Sequence, residues 1–328
     1  MNHKSLLIQL TILLATCAAF AQEKSTPPTA ANAALLAPAV LPGGGLARHD
    51  FFYAGEAKTE HMFIVRGGEI TWSYTHNGKG EISDAVLKPD GNILFAHQFG
   101  LTEISPDKKV LWNYDAPPQT EIHTAQPLGT NRVWFIQNGH EPKFIVMNKA
   151  TGGVEREFAL AVKDTNSVHG QFRQARLTAA GTVLVAHMSL GEVCEYDLDG
   201  RKLWSATVPG VWSALPLANG NILVASTKNF VREINRAGQS VWEWTPADAP
   251  GYKFSNLQTA TRLPNGNTII NNWFNQWSGK LDTNNLPVQA IEVTPDKTVV
   301  WALREWSAPR DLGPSTTIQI LDKAPVGK

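Results

Sequence analysis

A carboxylate, two imidazoles and a guanidinium carry the strongest chemical signal in this sequence. Glu121 and His123 stand two residues apart in the run Glu121-Ile-His-Thr-Ala125, so in an extended strand both side chains leave the same face. A carboxylate beside an imidazole can orient it as an acid or base, or join it in holding a metal ion. His169 and Arg173 lie four residues apart in a second such run, His169-Gly-Gln-Phe-Arg-Gln-Ala175. An imidazole there can serve as base or nucleophile, and a guanidinium can stabilise developing negative charge or fork onto an anionic ligand group.

These runs belong to a set. Aligned on a small residue (Ala85, Ala125, Ala175, Ala214, Ala260), five segments have an apolar residue three positions earlier: Ile82, Ile122, Phe172, Val211 and Leu257. The opposite parity holds Ser83, His123, Arg173, Trp212 and Gln258, and before them Glu81, Glu121, Gln171, Gly210 and Asn256. Catalytic candidates are therefore Glu121, His123, His169 and Arg173. Candidate ligand contacts are Glu81, His97, Gln171, Trp212, Asn256 and Gln258, with Trp212 placed to stack on a sugar or aromatic ring. The competing reading of each is a hydrogen bond that ties neighbouring elements together.

The elements that must position them are repeats. Thr102-Glu-Ile-Ser-Pro-Asp-Lys-Lys-Val-Leu-Trp112 returns as Ala290-Ile-Glu-Val-Thr-Pro-Asp-Lys-Thr-Val-Val-Trp301, and more loosely as Glu195 to Trp204 and Glu233 to Trp242. His61 to Trp72 is a shorter copy, and Met147 to Phe158 is a copy without the Trp. Each reads as strand, tight turn, strand. A second hairpin precedes most copies: Val86 to Phe95, Leu217 to Val224 and Leu263 to Ile270, all turning on Asp-Gly-Asn or Asn-Gly-Asn. Two hairpins in series make a four-stranded antiparallel blade, and repeats of about 40–50 residues of that kind make a β-propeller.

Full blades begin near Glu81, Glu121, Gln171, Gly210 and Asn256. The first copy, from Phe51 to Thr75, has three strands, and one orphan strand, Ser315 to Leu321, ends the chain. The fold expected is all-β: a six-bladed β-propeller of four-stranded antiparallel blades, closed by the C-terminal strand pairing with the first blade. Seven blades is the alternative. Tight turns collect at one end of the blades and longer connections at the other, where His61, His76, His97, His123, His140, His169 and His187 fall. Inner strands line the central channel, so the aligned polar groups should converge at its looped mouth.

The turn-then-Trp unit, and the Leu-Pro-Asn-Gly-Asn hairpin followed by Glu-Val-Thr-Pro-Asp-Lys, resemble the repeats of quinoprotein-like, PQQ-like and arylsulfotransferase-like exported propellers of bacteria. The resemblance covers residues 51–322 and implies the fold. Those families include quinone dehydrogenases and sulfotransferases acting through a histidine, but no stretch here matches a catalytic motif of either. The vicinal disulfide of the quinone enzymes cannot form with Cys194 alone.

The remaining features set the context. Lys4, the apolar run Leu6 to Leu14 and Ala19-Phe-Ala21 read as a signal peptide over residues 1–21, which implies a periplasmic or secreted protein. Cleavage there leaves Cys194 as the single cysteine and no intrachain disulfide. Residues 22–48, rich in Pro, Ala, Thr and Gly, read as a flexible linker, and 49–328 as the propeller domain. No other segment is apolar enough to span a membrane. The formal net charge of +0 offers no field for nucleic acid. No P-loop, G-x-S-x-G, H-E-x-x-H or C-x-x-C is present.

The functional expectation is an exported propeller binding a small polar ligand at the looped mouth, with a carbohydrate or an anionic compound as candidates. A periplasmic lyase, hydrolase or arylsulfotransferase-like enzyme using histidine is the second reading, and a protein-interaction propeller the third. The spacing is not diagnostic for a metal. No cofactor or oligomeric state is assigned.

Overall fold

The computed structural model describes residues 38, 40–55, 61–276 and 279–322. Among these, the strands form six separate four-stranded antiparallel sheets, the blades of a propeller. Blades 2 to 6 are each contiguous in sequence, with inner strands Asp84–Leu87, Glu121–Leu128, Phe172–Leu177, Val211–Pro216 and Asn256–Arg262. Blade 1 is composite: Ser315–Ile320 lies inside Phe51–Gly55, His61–Arg66 and Glu69–Thr75. The inner strands of successive blades touch one another all the way round, and Ser315–Ile320 touches both blade 6 and blade 2. The six-blade count and the closure by the tail strand are as the repeats imply, and seven blades is excluded.

Burial follows position in the blade. The middle strands pack on both faces against neighbouring blades, so Ile93–Ala96, Val183–His187 and Ile222–Ser226 are buried at every residue. The outermost strands have one wet face, and Glu69–Thr75 alternates exposed and half-buried along its whole length. Apolar clusters fill the gaps between blades, each drawing on two neighbouring sheets.

The repeated Trp marks the blade-to-blade seam. The indole Nε1–H of Trp72 donates to Pro106 O (2.8 Å), Trp204 to Arg236 O (2.7 Å) and Trp242 to Pro295 O (2.9 Å), each a carbonyl in the outer turn of the next blade. Trp301 of blade 6 donates to Gly45 O at 2.7 Å. Blade 3, the copy without a Trp, has Arg156 opposite Val146, where the other blades carry the indole. Its guanidinium reaches Asp199 in the turn of blade 4 at 2.6 Å, so an ion pair replaces the indole contact.

The signal-peptide segment, residues 1–21, lies outside the described residues. Of the linker expected over residues 22–48, the described end is seated: Pro42–Ala47 coils against blade 6, with Leu46 buried and Gly45 supplying the acceptor for Trp301. The seam on that side needs a turn, and this segment provides it.

One irregularity recurs and matters for the site. In blades 3 to 6 the inner strand carries one residue more than its neighbour. Ile122 pairs Gln137 and Thr124 pairs Ile136, so His123 is the extra residue; Trp212 is extra between Val211 and Ser213. The ladder skips likewise between Phe172 and Ala175 and between Leu257 and Ala260. In blade 1 Thr316 takes the same place. Such β-bulges bend the strand and re-aim a side chain. They also explain how Ile122 and Ala125, three apart and of opposite parity in a regular strand, are both buried in the core.

Candidate functional site

The bulges of blades 3 and 4 bring His123 and Arg173 together at the looped end of the channel. Arg173 is 4 % exposed. Its Nη1 contacts the Glu81 carboxylate and lies 3.0 Å from His123 Nδ1. Ser83 Oγ–H donates to Glu81 Oε1 (3.0 Å) and sits 2.9 Å from the same Nδ1. Nδ1 also lies 3.0 Å from Glu81 Oε1, so it faces a donor and a carboxylate together, while the carboxylate opposite Nε2 calls for a proton there. That N–H donates to Glu121 Oε2 at 2.8 Å. The same oxygen accepts from His169 Nδ1, also at 2.8 Å, and Gln98 Nε2 donates to Glu121 Oε1 at 2.9 Å. The two imidazoles stand edge to face with centroids 5.2 Å apart.

The result is a continuous polar chain, Glu81–Arg173–His123–Glu121–His169, drawn from blades 2, 3 and 4. It runs from a buried guanidinium to an imidazole whose side chain is 54 % exposed. Burial opposes the charge on Glu121, but hydrogen bonds from His123, His169 and Gln98 outweigh it and hold the carboxyl well below the usual carboxylate range. Glu121 is therefore a fixed anion that holds His169 by Nδ1 and leaves Nε2 turned to the mouth, 4.0 Å from Glu81 Oε2.

Donor atoms of Glu81, His123 and His169 lie within 4.8 Å of one another, the set among the described residues that could hold a metal ion. Both nitrogens of His123 are already engaged, and the Arg173 cation touches Glu81 and lies beside Nδ1. A second cation at that point would have to displace it, so the donor set fits a metal poorly.

Several expected residues are elsewhere. Gln171 directly follows the 3-10 turn Val168–Gly170, and its backbone (φ −80°, ψ −59°) is helical rather than extended. Its amide therefore leaves the channel face and clamps Gly139, accepting from N and donating to O, both at 2.8 Å. His97 follows the second strand of blade 2, away from the channel wall. It is buried 4.7 Å from the His76 ring and 3.2 Å from Thr102 Oγ1, and burial together with His76 pushes it down to about 4. Trp212 does meet the cluster, but a face of its indole is covered by the Arg173 guanidinium at 4.8 Å. Asn256 and Gln258 lie on blade 6, and none of their contacts reaches the cluster; Gln258 is 1 % exposed. Of the remaining rim histidines, His187 is buried and held by Tyr196 Oη (2.9 Å) and Ala161 O (3.1 Å).

Gln98 is a cluster residue that the inner-strand alignment could not find, because it lies on the turn after the second strand of blade 2. Nor is the cluster beside the most prominent cavity, which lies elsewhere. That cavity, about 740 Å³, opens at the tight-turn end and includes Gln126, Arg176, Thr261 and Arg262 in its wall. Its guanidiniums are already paired, Arg176 bidentately with Asp84 (2.8 and 2.9 Å) and Arg262 with Glu233 (2.9 Å). The looped end, by contrast, holds the exposed imidazole of His169.

Residues 61–210 match a family model described as outer membrane protein assembly factor BamB. A crystal structure of a protein of unknown function from Bacteroides caccae is 25 % identical, with a TM-score of 0.71 over 84 % of this chain and all of that one. Streptogramin B lyase is 11 % identical, with a TM-score of 0.53 over 84 % of this chain and 88 % of its own. A catalytically inactive histidine-to-alanine variant of virginiamycin B lyase from Staphylococcus aureus, solved with quinupristin, is 13 % identical, with a TM-score of 0.52 over 78 % and 85 %. The two lyases share the fold. No curated protein matches the sequence. No helix among the described residues is long and apolar enough to cross a membrane.

Proposed function

We propose that this PQQ-like β-propeller is exported and binds a small polar ligand at the looped mouth of its channel, over the Glu121–His169 pair. One observation carries the reading: a half-buried carboxylate, held ionised, fixes by one nitrogen an imidazole whose side chain is 54 % exposed, with the other nitrogen 4.0 Å from Glu81 Oε2. An imidazole held that way is pre-organised to exchange a hydrogen bond with a ligand hydroxyl or amine. Arg173 enters as the internal counter-ion of Glu81 and not as an anion receptor, which favours a neutral, hydroxyl-bearing ligand over an anionic one. Export rests on the pattern of Lys4, Leu6 to Leu14 and Ala19 to Ala21, and a mature N-terminus at Gln22 in sequenced protein would support it.

The test is a thermal-shift and titration screen of sugars, hydroxy acids and divalent cations on wild type, Glu121→Gln and His169→Ala. A compound that raises the wild-type Tm and loses most of that effect in both variants supports the mouth as the site. A compound that protects all three equally binds elsewhere and overturns it.

The same pair favours a second reading, general acid–base catalysis by His169 with Glu121 as its orienting group. In that case His169→Ala abolishes turnover by orders of magnitude in a folded protein, while Glu121→Gln shifts the pH profile of the rate.

A further inference from the structure

Phe99 is an exposed aromatic, 45 % accessible, on the rim above the cluster. It is not a free loop tip. Phe99 N–H donates to His97 O (2.7 Å), its carbonyl accepts from Ala116 N (2.8 Å), and neighbouring Gln98 is tied to Glu121. Gly80 lies hard against the turn at φ +97°: a Cβ there would come within 2.6 Å of His97 O and 3.0 Å of Phe99 Cδ2. Gln98 itself has φ 65°, and Gln119 across the rim also has φ 65°. Left-handed backbone at a residue with a side chain persists where its surroundings impose it.

The ring separates two hollows. One, about 340 Å³, is lined by Gly80, Glu81, Gln98 and Phe99. The other, about 390 Å³, runs from Phe99 past Pro117 and Pro118 to Asn166, with Glu121 on its wall. An exposed ring on a tied backbone, with a carboxylate lining each of the two hollows, suits a ligand that is apolar on one face and carries donors around its edge. Glu121 accepts three hydrogen bonds from protein, and a carboxylate offers about four lone-pair sites, so one remains for a ligand hydroxyl.

We infer that Phe99 is an aromatic platform for a pyranose ring, with the ring's hydroxyl edge turned to Glu121, which makes this residue the specificity determinant of the mouth. The inference rests on the mouth reading above and narrows its ligand to a carbohydrate.

Isothermal titration of wild type, Phe99→Ala, Phe99→Trp and Glu121→Gln with glucose, galactose, N-acetylglucosamine, maltose and cellobiose tests it. Expected is binding of at least one of these, weakened tenfold or more in Phe99→Ala and kept within threefold in Phe99→Trp, with the Tm of Phe99→Ala unchanged. Equal affinity in wild type and Phe99→Ala overturns the inference, as does the absence of any sugar binding. The two readings fail separately. A hydroxy acid that binds through Glu121 when no sugar does sinks the platform and leaves the mouth. A sugar that depends on Phe99 but not on Glu121 overturns both, because each sets the ligand against Glu121.

Discussion

Glu121 and His169 come from consecutive blades, 48 residues apart in sequence, and meet at 2.8 Å across the lip of the channel. The same carboxylate oxygen holds His123 of its own strand at 2.8 Å. One anion thus couples a buried imidazole to an exposed one, and its charge is the feature on which both functional readings depend.

Acid titration should report that charge. The folded carboxyl sits below its ordinary value of 4.5, although burial pushes the other way, because His123, His169 and Gln98 donate to it. A group with a depressed folded value contributes stability above its unfolded value and loses it as pH falls through the folded one. Wild type should therefore lose Tm progressively below pH 4.5, and Glu121→Gln should lose less over the same interval. Identical acid limbs for the two proteins would show that Glu121 is not held ionised by the cluster.

The N-terminal edge of the domain predicts the opposite slope. His49 bridges Glu292 of blade 6 (3.0 Å) and Asp322 beyond the tail strand. Burial lowers its affinity for a proton, but the two carboxylates outweigh burial and raise it above 6.5. A raised folded value contributes stability in full below the unfolded value and loses it as pH climbs through the folded one. Wild type should lose Tm on passing upward from pH 6.5, and His49→Gln should show a flatter limb there. Differential scanning calorimetry across that range decides it; a steeper limb in the variant would contradict the bridge.

The fold was legible because its signals repeat. The indole position and the Asn-Gly-Asn turns recur at blade spacing, and the orphan strand at Ser315 had one three-stranded sheet left to complete. The site was legible where the repeat stays regular. Glu81, Glu121, His123 and Arg173 are found by parity, and their convergence follows from the ring. Gln171 departs because a short 3-10 turn rotates it off the strand face. Gln98 escaped because it lies on a connection that no alignment of inner strands samples. The bulge left one trace in the sequence: two core residues, Ile122 and Ala125, at a spacing that a regular strand cannot bury together.

Seam tryptophans should be worth a hydrogen bond each beyond their packing. Trp242→Phe keeps a ring but removes the Nε1–H that reaches Pro295 O. The loss expected is about 1 kcal/mol, with the larger part of the packing retained. For a domain of this size that is about 2 °C in Tm. The ion pair that stands in for the indole in blade 3, Arg156 to Asp199, is exposed on both sides, so Arg156→Ala should cost less than Trp242→Phe. Chemical denaturation of both variants orders them, and the reverse ranking would mean that the seam is held by charge.

Closure is the strongest dependence of all. Ser315–Ile320 pairs with Phe51–Gly55 along its length, and Gln319 reaches across to blade 2, donating to Leu87 O and accepting from Leu87 N, both at 3.0 Å. Phe51, Phe52, Tyr53 and Ala54 are fully buried between blade 6 on one face and blade 2 on the other, and that strand covers their open edge. A chain ending at Pro314 would expose them on an open sheet edge, the kind of edge that pairs with other chains. It should lose its cooperative thermal transition and aggregate. Added as a separate peptide, residues 315–322 should restore part of the transition, because the strand's backbone partners remain in place. A truncated chain that melts at the wild-type temperature without the peptide would show that blade 1 closes by other means.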